Sequence, residues 1–222
     1  MHASKVVIFG NGTFASLAWS CLTHDSPWQV AAFTADRDFI KETTHEGLPV
    51  VPFDALPTLF PPHDFKISIP LGCVNINGLR LERYLQAKSM GYQFISYVSS
   101  RATTWPNVQI GENCFIYDHA ILEPFSRVGD NVIIRAAALI SHHGVIGSHS
   151  MLSGGVVLGG NVHIGERVFV GLGAVVRNGL RLAERSFIGA GAVVIADTEA
   201  DGVYVGNPAR KTARTSMQVS AA

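Results

Sequence analysis

Two adjacent histidines, His142 and His143, stand in "ALISHHGVIG", residues 138 to 147, a stretch otherwise dominated by glycine and aliphatic residues. Side-by-side imidazoles can take up a proton, ligate a metal or simply face water at a bend. A second chemical cue lies near the start of the chain. Gly10-Asn11-Gly12-Thr13-Phe14-Ala15 follows the apolar "KVVIF" and precedes a segment of helical spacing. Glycines so placed between a strand and a helix let helix-end N–H groups approach a phosphate, and they also serve as a tight turn. Asp36 and Arg37 follow the next apolar strand, where contacts to a nucleotide base or sugar are expected.

The chain has 222 residues, 47% hydrophobic and 15% charged, with no formal net charge. That balance suits a compact protein with large buried surfaces, subunit interfaces included, and argues against nucleic acid or an acidic membrane as partner. No apolar run reaches the roughly 20 residues that cross a bilayer, and "MHASKVVIFGNG" lacks the layout of a signal peptide. Cys21, Cys73 and Cys114 are few and widely spaced, as buried thiols of a cytoplasmic protein would be.

The elements that must position these residues change character midway. Residues 1 to 98 alternate strands and helices: "KVVIFG", "TFASLAWSCLTH", "WQVAAF", "FKISIP", "NGLRLERYLQAKSMGY" and a closing strand "QFISYV". This order predicts a small, mostly parallel Rossmann-like α/β sheet, with the proline-rich "LPTLFPPHDF" as surface loop or broken helix. From residue 99 an aliphatic residue recurs at every sixth position, from Ile110 through Ile140 to Val194, fifteen times without an insertion. Neither the 3.6-residue helical period nor the two-residue strand period explains six. The hexad predicts a parallel β-helix of three short strands per coil, about five coils over residues 99 to 211, with a frayed tail from 212 to 222.

An eighteen-residue coil stacks positions eighteen apart. His142 then lies above Pro124 and beneath Gly160, and His143 above Phe125 and beneath Asn161. A glycine over His142 suggests open space for a substrate, and Asn161 could supply a hydrogen bond. His119, His149 and His163 share no column with the pair. His143 and His149 occupy successive corners, on the order of 15–20 Å apart along the chain, too far to share a zinc ion unless an interface brings them together. Gly154, Gly155, Gly159 and Gly160 could present backbone N–H groups to a developing oxyanion, or serve only as corner turns.

Residues 108 to 211 resemble the left-handed β-helix of hexapeptide acyltransferases. Together with the preceding domain they resemble the NeuD-like nucleotide-amino-sugar N-acyltransferases. "VVIFGNG", the uninterrupted hexads, "SHHGVIG" and "GVYVGNPARK" carry the likeness. The resemblance implies a homotrimer with active sites between subunits, acetyl-CoA or another acyl-CoA as co-substrate, no metal, and a nucleotide-linked amino sugar held by residues 1 to 98. The family frame I-x-H-[ED]-x-x-I-G falls on Ile140 to Gly147 and puts His142 at the base position. His143 stands where the family has an acid and joins it as a candidate catalytic residue. Met151 stands where the family has a second histidine, and "GNGTFA" replaces G-x-G-G-H. Met151, Gly154, Gly155, Gly160, Asn161, Arg210 and Lys211 are the expected acyl-CoA contacts, the last two through phosphates. Gly10, Asn11, Gly12, Thr13, Asp36 and Arg37 are the expected nucleotide-sugar contacts. The same apparatus would serve a sugar O-acetyltransferase, and a non-catalytic sugar-nucleotide-binding trimer is the third reading. A dehydrogenase is disfavoured because about 95 residues supply half of the two-part dinucleotide fold. A nucleotidyltransferase would need Arg and Lys after its glycine loop, and "GNGTFASLAW" has neither.

Overall fold

The protein, seen here as a computed structural model, is described over residues 5–219. It opens with a five-stranded sheet built from β1 (Lys5–Phe9), β2 (Gln29–Ala35), β3 (Thr44–His45), β4 (Leu48–Pro52) and β5 (Phe65–Ser68). Their spatial order is β3-β4-β2-β1-β5, parallel except for the β3–β4 hairpin. Val6, Val7 and Ile8 are fully buried, as expected of a central strand covered on both faces. Helix α1 (Thr13–His24) buries Ala15, Ala18 and Leu22 against this sheet. The proline-rich segment contains one short helix, α2 (Leu56–Leu59). Helix α3 (Val74–Ser89) begins irregularly, with Asn75, Ile76 and Asn77 all at positive φ.

"QFISYV" does not form the sixth strand of this sheet. Phe94 makes a single bridge to Ile67, while Tyr97–Val98 joins the second architecture and pairs with Phe115–Ile116. From there two-residue strands recur every six residues to Val193–Val194 and stack into three parallel sheets. This is the left-handed β-helix, a triangular prism. The first face carries Phe115, Ile133, Met151, Phe169 and Phe187 outward, the second Ile121, Leu139, Val157, Val175 and Val193, the third Arg127, Val145, His163 and Arg181.

The register is the eighteen-residue step: Leu139 pairs with Val157 and Ile140 with Leu158. Ile116, Leu122, Ile134, Ile140, Leu152 and Leu158 have no exposed surface. Each contributes roughly 1.5–3 kcal/mol by burial, because the neighbouring coils cover it. The third residue after each inward aliphatic from Ile110 to Ile188 turns the corner at positive φ, near +60°, including Phe125, Asn131, His143 and Asn161. A β-carbon on Gly147 would stand 2.5 Å from the Gly165 carbonyl of the next coil, so glycine there lets the coils close.

The α/β unit packs on the first face, where Phe115, Ile133 and Met151 share a core with Val6, Ile8 and Ala15. Arg80 of α3 pins the join. Fully buried, it donates to the carbonyls of Leu71 (2.9 Å), His149 (2.9 Å) and Ser150 (3.0 Å) and to Asn77 Oδ1 (3.2 Å). Burial lowers its pKa to about 10, still far above neutrality. At the far end the chain does not fray at residue 212. Arg210–Thr215 pairs antiparallel with Gly202–Val205, and Ser216 is buried. Residues 220 to 222 of the expected tail lie outside the described residues.

Candidate active site

The turn between β1 and α1 holds the glycine motif at the mouth of a cavity of about 280 Å³, lined by Gly10, Asn11, Gly12, Thr13 and Asp36. Gly12 is the N-cap of α1 and no side chain caps that helix. The N–H groups of Thr13 and Phe14 have no side-chain cap, while that of Ala15 donates to the Gly12 carbonyl at 2.9 Å, and the helix dipole favours an anion at this end. Asn11 is tied back to the Phe39 carbonyl at 2.8 Å, while Asp36 holds Arg83 at 2.8 Å. Arg37 pairs with Asp54 at 2.9 Å and is not part of the lining.

A larger cleft of about 540 Å³ continues from this one along the first face and its edge with the second. Phe14 and Gly72 line both cavities. Met151, Gly154, Leu172 and Arg135 line the larger. The Arg135 guanidinium lies 4.4 Å from the Tyr117 ring centre and 5.6 Å from that of Phe14. Sequence reasoning passed over Arg135; its only signal was a cation immediately after the inward Ile134.

His142 is elsewhere. It sits on the edge between the second and third faces, exposed, across the prism from the face that carries the α/β unit. Its backbone N–H donates to Glu123 Oε2 at 2.8 Å, a carboxylate one coil below that sequence reasoning also missed. The space expected beneath Gly160 is not empty. The imidazole fills it, so that a β-carbon on Gly160 would stand 2.6 Å from both Cε1 and Nε2. His143 stacks on Phe125, ring centres 4.7 Å apart at 27°, and its Nδ1 lies 3.2 Å from Nδ1 of His142. Asn161 donates its backbone N–H to the His142 carbonyl at 3.0 Å.

The expected acyl-CoA contacts therefore do not form one cluster within a chain. Gly160 and Asn161 lie with His142; Gly154 and Met151 line the cleft on the far side of the second face, and Gly155 turns the same corner as Gly154. Arg210 and Lys211 belong to the C-terminal hairpin, where Lys211 pairs with Glu199 at 2.6 Å.

Among the described residues no group of three or more His, Cys, Asp or Glu side chains could hold a metal ion. His149 is engaged with Asn131 at 2.9 Å, and burial lowers its pKa to about 4. Burial raises the pKa of Cys21 and Cys73 and lifts that of Cys114 to about 12, so none suits a nucleophile. No helix among the described residues is long and apolar enough to cross a membrane.

The fold and its repeat are those of the left-handed β-helix acyltransferases. The family described as bacterial transferase hexapeptide (six repeats) matches residues 107–142. The chain is similar to PerB from Caulobacter crescentus, solved in complex with CoA and GDP-perosamine. The two are 28% identical with a TM-score of 0.84, over 94% of this chain and 97% of that one. A histidine-to-asparagine variant of that perosamine N-acetyltransferase, with the same two ligands, gives 27%, 0.85, 94% and 96%. The acetyltransferase domain of PglB from Neisseria gonorrhoeae FA1090 is 24% identical with a TM-score of 0.82, over 94% of this chain and 100% of that domain. No curated protein matches the sequence.

Proposed function

We propose that the protein is an acyl-CoA-dependent N-acyltransferase whose acceptor is the amine of a nucleotide-linked amino sugar, with His142 as general base in a site shared between subunits of a trimer. The observation that carries this reading is the outward row of the second face. Ile121, Leu139, Val157, Val175 and Val193 form an aliphatic stripe over which no described element packs, and Ile121 and Val175 are more than a third exposed. A stripe of this kind fits a second copy of the same chain.

If three chains turn their second faces toward a common axis, the edges flanking those faces meet in pairs. The edge bearing His142 on one chain then adjoins the edge bearing Gly154 and the larger cleft on the next. The residues that lie apart within one chain become neighbours across that groove. The likeness to PerB, which holds CoA and GDP-perosamine, supports assigning these two ligand classes to the groove and to the α/β cavities. In this reading the nucleotide phosphates lie at the uncapped start of α1, and the sugar extends past Phe14 into the larger cleft.

The chemistry then balances simply. The amine nitrogen attacks the thioester carbonyl carbon and passes a proton to Nε2 of His142. The carbon–sulfur bond breaks, and the proton returns to the departing sulfur as CoA thiol. A placed base of this kind contributes about 10²–10⁴-fold. Release of free thiol with a panel of nucleotide-linked amino sugars and acetyl-CoA tests the reaction, and mass spectrometry of the product separates amide from ester. His142→Ala should lower kcat by that factor; near wild-type turnover at saturation would remove His142 from the role. Mixed trimers test the shared site: co-expressing His142→Ala with a Gly12→Trp pocket variant should restore part of the activity that each lacks alone.

A further inference from the structure

The relationship that the proposed chemistry leaves unused is the contact between the two histidine rings. Their Nδ1 atoms are 3.2 Å apart, so one nitrogen carries a hydrogen and the other accepts it. Two features hold the rings in this contact. The ring of His143 is held flat on Phe125, and its corner backbone at φ 58° fixes where the side chain leaves the chain. The ring of His142 is wedged against Gly160 with Cε1 and Nε2 nearest that glycine, which leaves Nδ1 as the atom turned to its neighbour.

We infer that His143 is a positioning residue: its neutral imidazole accepts the Nδ1 hydrogen of His142, fixes the tautomer with Nε2 unprotonated, and takes the part that a carboxylate can play beside a histidine base. This rests on the reading of His142 as the base. The tautomer of an imidazole is set by the bond its other nitrogen makes, and an acceptor at Nδ1 makes Nε2 the proton-accepting atom. As Nε2 gains the substrate proton, the Nδ1–H bond to His143 becomes charge-assisted and strengthens. An uncharged acceptor holds the imidazolium less firmly than a carboxylate would, so this pair returns its proton to the leaving sulfur more readily.

Among the described residues of the same chain, no other side chain is hydrogen-bonded to either ring. Glu123, one coil below, meets the backbone N–H of His142 rather than its ring. The coil above places Gly160 and Asn161 over the pair, and neither titrates.

The corner conformation decides which variants are informative. Glycine occupies the equivalent corner at Gly155 and Gly173, so His143→Gly removes the acceptor without straining the turn. Aspartate also tolerates this region and restores an acceptor, now anionic. Nitrogen-detected NMR of histidine-labelled protein, with signals assigned through His142→Asn, reads the tautomer without any turnover. In the wild type, His142 is expected to carry its hydrogen on Nδ1; in His143→Gly it moves to Nε2; in His143→Asp it returns to Nδ1. In parallel, His143→Gly should lower kcat roughly ten- to a hundredfold with little change in KM. His143→Asp should recover turnover with the acidic limb of its pH profile moved to higher pH, because an anion stabilises the imidazolium more.

An unchanged His142 tautomer in His143→Gly would overturn the inference, as would a hydrogen found on Nδ1 of His143 in the wild type at neutral pH. Absence of acyl transfer by the wild type with every acceptor would instead defeat the proposed reaction while the tautomer measurement still stood.

Discussion

The imidazole of His142 is wedged against Gly160 of the coil above, at a place where a β-carbon would come within 2.6 Å of two ring atoms. Gly160 does not need to be glycine for its own backbone, since its φ lies outside the left-handed region. Gly160→Ala should therefore fold normally and displace the ring. Turnover is expected to fall at least about tenfold, because a base moved by an ångström loses its line to the substrate. The melting temperature should stay within a few degrees of wild type. Full activity in Gly160→Ala would mean that the ring's seat against the coil has no catalytic consequence.

Val157 lies midway along the aliphatic stripe of the second face. Val157→Glu should leave the chain folded, since the side chain points away from the core, but should prevent copies from packing there. Light scattering coupled to size exclusion should show a monomer in place of a trimer. Turnover should be lost with it, although His142 and the α/β cavities are untouched. A variant that stays trimeric would relocate the interface to another face.

Arg80 is a cation with no carboxylate partner among the described residues, satisfied by main-chain carbonyls and the Asn77 side chain. Arg80→Met keeps the length of the side chain but leaves those carbonyls buried without donors. The loss should be about 3 kcal/mol or more in urea unfolding. Proteolysis should first cut between the α/β unit and the β-helix, because Arg80 joins them.

His149 gives acid sensitivity a specific source. Its folded pKa is lowered to about 4 by burial, against an ordinary value near 6.5. Above pH 6.5 the ring is neutral folded or unfolded and contributes nothing. Between 6.5 and 4 the unfolded chain takes a proton that the folded one refuses, so stability falls as the pH falls through that window. The ring is only half-buried, and the discounted effect is roughly 1–2 kcal/mol. His149→Asn, suited to the positive φ of that corner, should flatten the decline relative to wild type when melting is followed from pH 7 to 4.

The hexad was fully legible because it is a local property. Each aliphatic residue has the same task in the same frame, and a single insertion would have turned the row out of the core. The eighteen-residue stack followed from it, and with it the neighbours Phe125 and Gly160. "QFISYV" was misread because its alternation suits either sheet; pairing of Tyr97 with Phe115 decided it. The tail was misread because "RKTARTS" carries no apolar signal, and its order comes from antiparallel pairing with Gly202–Val205. Glu123 and Arg135 went unremarked because a charged residue at a corner is ordinarily solvated, and only the folded coil gives each a partner.

The sequence by itself determined the architecture, the order of its two units and the corner on which His142 stands, because period and glycine placement act over a few residues. Tertiary structure decided what those residues meet. It sends the α/β unit to the first face, leaves the second without a covering element among the described residues, and parts the candidate base from the cavities by the width of the prism. It also turns His142 toward His143. Such relations depend on which faces pack together, and packing is a property of surfaces far apart in the chain.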